Sequence, residues 1–168
     1  ILLLADAKNK RPSELNACVL KRQRHDYIIK ALIKLGVNIN FITDGDIAGA
    51  LTVIGENPIN DIYYSTGGGP EGVIVAAALS CYGGQIQGRL VLDKEETLRA
   101  KKLGIEDFEK KYNIDDMVKG DVIFCASGVT SGDLAEGIKD QGNKYNVSTF
   151  VLHKSKKINR VIKNTYKK

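Results

Sequence analysis

Arg22 and Arg24, with Gln23 between them, follow the apolar run ACVLK. In an extended segment residues two apart point to the same side. Both guanidinium groups would then converge on one phosphate through forked hydrogen bonds; on a helix they would diverge. A pair of solvent-facing arginines ahead of a helix is the plainer reading. Asp44-Gly45-Asp46 comes next. Two carboxylates around a glycine either hold a divalent cation or accept hydrogen bonds from adjacent sugar hydroxyls. An Asp-rich turn with Asp46 capping a helix uses the same residues.

The run STGGGPEGV (65–73) carries more information. Gly67, Gly69 and Gly72 fit the dinucleotide pattern G-x-G-x-x-G, and Asp93 stands at about the distance of 20 residues at which such a site places its ribose-binding acid. Against this, Pro70 suits the first helical position and so puts Glu71 at the helix N-terminus, where a pyrophosphate would have to lie. A carboxylate there repels that phosphate. It suits a cation that in turn binds a phosphate oxygen, or it simply stabilises the helix dipole. The loop Ser127-Gly128-Val129-Thr130-Ser131-Gly132-Asp133 reads as an anion nest or as a turn with Asp133 capping the next helix, and the turn is the expectation. Neither His25 nor His153 is expected beside a serine or cysteine in a triad-like arrangement, so both are read as structural.

These motifs need elements to hold them. Short β-prone runs alternate with helix-period segments from Asn16 onward, which predicts an α/β layer fold. The expected strands are 17–20, 37–43, 61–66, 89–92, a buried 121–127 and a final 147–153. The expected helices are 25–35, about 46–54, the apolar stretch after Gly72, and an exposed charged stretch over 94–111. The opening ILLLADAKNK reads as part of a helix. Polar, glycine-rich motifs follow strand ends, where open α/β sheets place ligands.

The chain has 168 residues, 43% of them apolar, which suffices for one domain with a real core. No apolar run reaches membrane-spanning length. Cys18, Cys81 and Cys125 lack C-x-x-C spacing and sit in apolar stretches, so reduced core thiols and a cytoplasmic protein are expected. The net charge of +5 comes from residues 154–168, which hold seven Lys or Arg and no acid; residues 1–153 hold 18 basic and 20 acidic residues. A solvated tail or a final strand-helix is expected there rather than a nucleic-acid arm.

Taken in order, R-x-R-H, DGD, GG(G)PEG with its Ala-rich helix, GRL and SGVTSGD resemble class II fructose-1,6-bisphosphatase along nearly the whole chain. The stretch GGGPEGVIVAAALSCYGGQIQGRL (67–90) carries the resemblance most specifically. Gln23 stands where that family commonly has proline, and Ser127 where it often has threonine. The resemblance implies a layered α/β/α sandwich, the second domain of an inositol-phosphatase-like sugar phosphatase, with the whole of 1–168 forming the substrate-binding half and an N-terminal half elsewhere. It implies Mg²⁺- or Mn²⁺-dependent hydrolysis of the 1-phosphate of fructose 1,6-bisphosphate, or of sedoheptulose 1,7-bisphosphate in some relatives. By the same resemblance Arg22, Gln23 and Arg24 would bind the uncleaved phosphate, and Asp44, Gly45 and Asp46 the sugar hydroxyls. Gly68 would contact substrate through its backbone, and Glu71 would ligate one metal. The other metal-binding acids would lie on the N-terminal half, leaving this chain inactive alone. A homo-oligomer, with no membrane and no nucleic-acid partner, completes the expectation. The competing reading is a nucleotide- or dinucleotide-binding module built on Gly67–Gly72.

Overall fold

The computed structural model describes residues 1–132 and 134–168. Asp133, expected to cap a helix, lies outside the described residues. The chain opens with helix α1 (Leu2–Ala7), then strand β1 (Asn16–Leu20), helix α2 (Asp26–Lys34), strand β2 (Asn38–Ile42), helix α3 (Asp46–Leu51) and strand β3 (Ile62–Tyr64). The three strands form a parallel sheet in the order β2-β1-β3, with Ala17 beside Ile39 on one side and Ile62 on the other. Strand side chains alternate between faces. Ala17 and Val19 therefore meet Ala5 of α1 and Leu32 of α2 in one core cluster, while α3 packs against the opposite face through β1 and β3.

Helix α4 (Gly69–Tyr82) follows, and it is apolar on every side because it is covered on two sides. Ala50 and Leu51 of α3 meet Val75, Ala78 and Leu79 of α4, and these in turn meet Phe124 and Leu152 of a second sheet. Each of the larger side chains buried here contributes about 1.5–3 kcal/mol. Residues 87–117 add a small pairing of β4 (Gln87–Gly88) with β5 (Tyr112–Asn113), helix α5 (Lys94–Lys102) and the one-turn helix α6 (Ile114–Met117). The second sheet is antiparallel and consists of β6 (Ile123–Ser127), β7 (Lys139–Asp140), β8 (Lys144–His153) and β9 (Ile158–Lys167). Strands β6 and β7 pair with different stretches of β8, and β9 pairs with its whole length. The order of layers is thus α1/α2, parallel sheet, α3/α4, antiparallel sheet.

The α/β class holds, and helices do cover both faces of the parallel sheet, but a second sheet adds a layer that the α/β/α expectation lacked. Other expectations are corrected. Residues 89–92 form no strand; the pairing stops at Gly88. The helix expected over 94–111 ends at Lys102, just before Gly104. The strand expected to be buried at 121–127 exposes Ile123, Cys125 and Ser127, because only its even-numbered side faces α4. Strand 147–153 is not the last: the basic terminal segment forms β9, most of it solvated. No described helix follows the loop after Ser127, and the next element is β7. Cys125 is exposed, so only Cys18 of the three thiols is fully buried; all three are free. His153 does meet a serine. Its Nε2 lies 2.9 Å from Asp121 Oδ2 and 3.3 Å from Ser155 Oγ, and Ser155 Oγ donates to Asp121 at 2.6 Å. Both partners crowd one ring nitrogen, so this cluster lacks the two-sided relay of a triad. Among the described residues no helix is long and apolar enough to cross a membrane.

Candidate functional site

Parallel strands all end on the same side, which brings the segments after β1, β2 and β3 to one edge of the sheet. Since β1 is central and its neighbours are reached by crossovers on opposite sides, the crevice beyond β1 and β3 is the point where such sheets bind ligands. Three of the motifs sit there.

A buried histidine ties them together. His25 is fully buried. The Thr66 N–H donates to its Nε2 at 2.9 Å, so Nδ1 carries the proton and donates to the Leu20 carbonyl at 2.6 Å. The ring thus fastens the end of β1 to the turn after β3. Arg24 Nε donates to the Thr66 carbonyl at 2.6 Å, which leaves the outer nitrogens of its guanidinium as further donors. The segment is not extended as expected: Gln23–His25 forms a 3-10 turn, and only Arg22 keeps extended backbone. Arg22 Nη1 donates to its neighbour's carbonyl, Lys21 O, at 3.1 Å. Arg24 is therefore anchored on the crevice, Arg22 stays local and exposed, and Gln23 is exposed on the turn.

Asp44 is exposed and accepts the Gly45 N–H at 2.8 Å. Gly45, not Asp46, is the residue preceding the first turn of α3, with φ +81, a conformation that only glycine takes without strain. That turn swings Asp46 back toward β3. There Asp46 Oδ1 accepts from Tyr63 Oη at 2.5 Å and Ser65 Oγ at 2.7 Å. Partial burial pushes the Asp46 carboxyl up, but the two hydroxyls, with the charge of Arg24, outweigh it and hold the group below the usual carboxylate range. The other oxygen, Oδ2, faces Gly67: a Cβ on that glycine would lie 3.6 Å from it. Burial, and then the bond to Asp46, push the Tyr63 hydroxyl well above the usual phenol range.

Gly68 precedes α4, with Pro70 and Glu71 in the first helical turn. The Glu71 side chain folds back over Gly68 so closely that any Cβ there would overlap Oε2. The tripeptide Thr66-Gly67-Gly68 thus has Arg24 and His25 on one residue, Asp46 beside the next and Glu71 over the third. The glycines leave the backbone open to a ligand. Such a surface offers a guanidinium, two carboxylates and backbone groups to a polyol phosphate. Glu71 and Asp46 suit a hard cation by ligand type, although among the described residues no three acid, cysteine or histidine side chains converge as a metal cage. The dinucleotide reading is not favoured. Glu71 covers the helix start, and Asp93 follows no strand; it caps α5 by accepting the Glu96 N–H at 2.8 Å.

His25, Tyr63, Ser65 and Thr66 are the members of this site that motif reasoning left without a role. One signal was available for two of them: Tyr63 and Ser65 are two apart at a strand end and so face the same way.

An α/β domain with a polar ligand crevice beyond its parallel strands is the class that fold and site define. Residues 1–166 match the family described as bacterial fructose-1,6-bisphosphatase, glpX-encoded. Among curated relatives, fructose-1,6-bisphosphatase 1 class 2 of Escherichia coli (strain K12) is 36% identical over 174 residues, covering 94% of this chain and 52% of that protein. The class 2 enzyme of Haemophilus influenzae is 34% identical over 173 residues, with the same coverage of 94% and 52%. The D-fructose 1,6-bisphosphatase class 2/sedoheptulose 1,7-bisphosphatase of Synechococcus sp. (strain JA-3-3Ab) is 35% identical over 164 residues, covering 89% of this chain and 47% of its own length. This chain belongs to the class 2 fructose-1,6-bisphosphatase family. It spans about half the length of the curated relatives it matches.

Proposed function

We propose that this chain is the substrate-binding part of a metal-dependent sugar bisphosphatase that hydrolyses fructose 1,6-bisphosphate to fructose 6-phosphate and phosphate. Family membership supports the reaction, and the observation that carries the division of roles is the convergence of Arg24, Asp46, Gly68 and Glu71 on one three-residue turn.

In this reading Arg24 takes the phosphate that is not cleaved, and Arg22, exposed just ahead of the same turn, swings onto it when substrate binds. Asp46 is held on Oδ1 by Tyr63 and Ser65 and uses Oδ2 to accept a sugar hydroxyl, with Asp44 and Gly45 completing that side. Gly68 lets the sugar approach the backbone. Glu71 is the residue that would hold a divalent cation, Mg²⁺ or Mn²⁺. When bound, such a cation supplies an activated water and stabilises charge on the scissile phosphate. One glutamate cannot hold a multi-metal site alone, so the remaining acids come from the part of the relatives' length that this chain does not span.

Steady-state hydrolysis of fructose 1,6-bisphosphate tests the proposal. The 168-residue chain by itself is expected to show no turnover. In an enzyme of the relatives' full length carrying this segment, Arg24→Ala should raise KM roughly tenfold or more while leaving kcat close to unchanged, because a remote phosphate clamp holds ground and transition states alike. Turnover by the chain alone, or an unchanged KM in the variant, would refute this assignment.

A further inference from the structure

The buried ring of His25 meets Thr66 at two atoms. Its Nε2 accepts the Thr66 N–H at 2.9 Å, and the same nitrogen lies 3.2 Å from the Thr66 carbonyl oxygen. That oxygen is the one on which Arg24 Nε hangs at 2.6 Å. One ring nitrogen thus sits between the donor that fixes the turn after β3 and the acceptor that fixes the guanidinium. Its state is set from the far side of the ring, where Nδ1 gives its proton to the Leu20 carbonyl at 2.6 Å.

A proton on Nε2 reverses this arrangement. The acceptor becomes a donor, two N–H groups then face each other at 2.9 Å, and Thr66 loses the partner of its N–H, which is costly for a group held against a buried ring. The new Nε2–H turns to the Thr66 carbonyl and competes there with Arg24, and a second positive charge arrives at an oxygen that the guanidinium already holds. Arg24 and Asp26 flank the ring in its own segment, and Lys21 follows Leu20 at the end of β1. From the other side Asp46, at the start of α3, is near enough to interact with a charge on His25, and its carboxylate is bonded to Tyr63 of β3 and to Ser65. Asp46 would draw an imidazolium in, and Arg24, sharing its acceptor, is the group that gives way.

We propose that His25 is the positioning residue of the arginine clamp: its neutral Nδ1–H tautomer holds the Thr66 peptide where Arg24 can grip a phosphate, and a proton taken from solvent onto Nε2 releases both. The phosphate role of Arg24 rests on the function proposed above. The coupling of His25 to Thr66 and Arg24 does not.

Nitrogen-resolved NMR of the 168-residue chain tests the coupling. Imidazole spectra should show His25 with Nδ1 protonated and Nε2 bare, and on acidification the Thr66 amide and Arg24 Nε–H signals should move with the His25 midpoint, independently of His153. Titration with fructose 6-phosphate, which carries only the phosphate that is not cleaved, then tests the clamp. His25→Asn keeps a donor for Leu20 but lacks the acceptor for Thr66, and it should weaken binding roughly tenfold. His25→Gln reaches far enough to offer Thr66 an oxygen that takes up no proton. It should recover most of the affinity and keep only the pH dependence of the phosphate itself, which titrates at about pH 6. The opposite tautomer, Thr66 and Arg24 signals that ignore the His25 midpoint, loss of the whole fold at that midpoint, or a wild-type pH dependence in His25→Gln would each overturn the proposal. Coupled signals without any binding of fructose 6-phosphate would uphold the coupling and refute the phosphate role of Arg24.

Discussion

Asp46 is held by two hydroxyls on a single oxygen, so its geometry depends on Tyr63 more than on its own backbone. Tyr63→Phe keeps the ring and removes the shorter bond. It should lower stability by about 1–2 kcal/mol and let the Asp46 carboxyl rise toward its ordinary value, which a carboxyl-carbon NMR titration of Asp46 measures directly. An unmoved titration would mean that Ser65 and Arg24 suffice. Glu71 makes the complementary case. It folds over Gly68 with no hydrogen-bond or ion-pair partner among the described residues, so Glu71→Gln should leave the thermal midpoint within about 2 °C of wild type, as surface substitutions away from structural features do. In the full-length enzyme the same change should lower kcat and raise the Mn²⁺ concentration needed for half-activity. Full activity at ordinary metal levels would return Glu71 to the role of helix-dipole partner. The residue types at these positions were legible in the sequence because carboxylates and glycines at strand ends carry their chemistry with them. The service of His25 was not, since a buried histidine bonded to two backbone groups leaves no pattern along the chain.

At the scale of elements, the start of β3 is pinned by one carboxylate. Asp61 accepts the Asn16 N–H at 2.9 Å and ion-pairs with Lys8 and Lys10 at 2.9 and 3.0 Å, joining the end of α1 and the start of β1 to β3. Burial opposes its charge, but the Asn16 bond and the two lysines prevail and bring it to about 2 from 3.8. A carboxyl depressed in the folded state stabilises it fully above the unfolded value near 3.8, and the stability is lost as pH falls through about 2. Urea denaturation at pH 5 and near pH 2 should therefore differ by roughly 2 kcal/mol from this group, and Asp61→Asn should remove that part of the difference. An unaltered pH dependence in the variant would exclude Asp61 as the pin. Parallel strands and the amphipathic α2 were readable because their hydrophobic period is clear. RLVL misled for a reason of the same kind: a β-prone run forms a strand only if another strand lies beside it, and at 89–92 none does.

Across the whole molecule, the part least legible was the antiparallel sheet. Its core face is set by Phe124, Phe150 and Leu152, but β9 is mostly polar and basic, and composition alone resembles a tail. Pairing with β8 over ten residues, from Lys144–Lys167 to His153–Ile158, supplies the order that its own side chains do not. That hairpin closes over only the four residues 154–157, whereas Ala17 must find Ile62 across 45 positions to complete the parallel sheet. Loop closure grows costlier with chain length, and distant pairings form late. The two sheets should therefore acquire protection at different times during refolding. Pulsed amide exchange is expected to mark β8 and β9 first and β1 and β3 last, and the reverse order would count against it. A chain diluted out of denaturant would then hold a finished hairpin while its ligand crevice is still open thread.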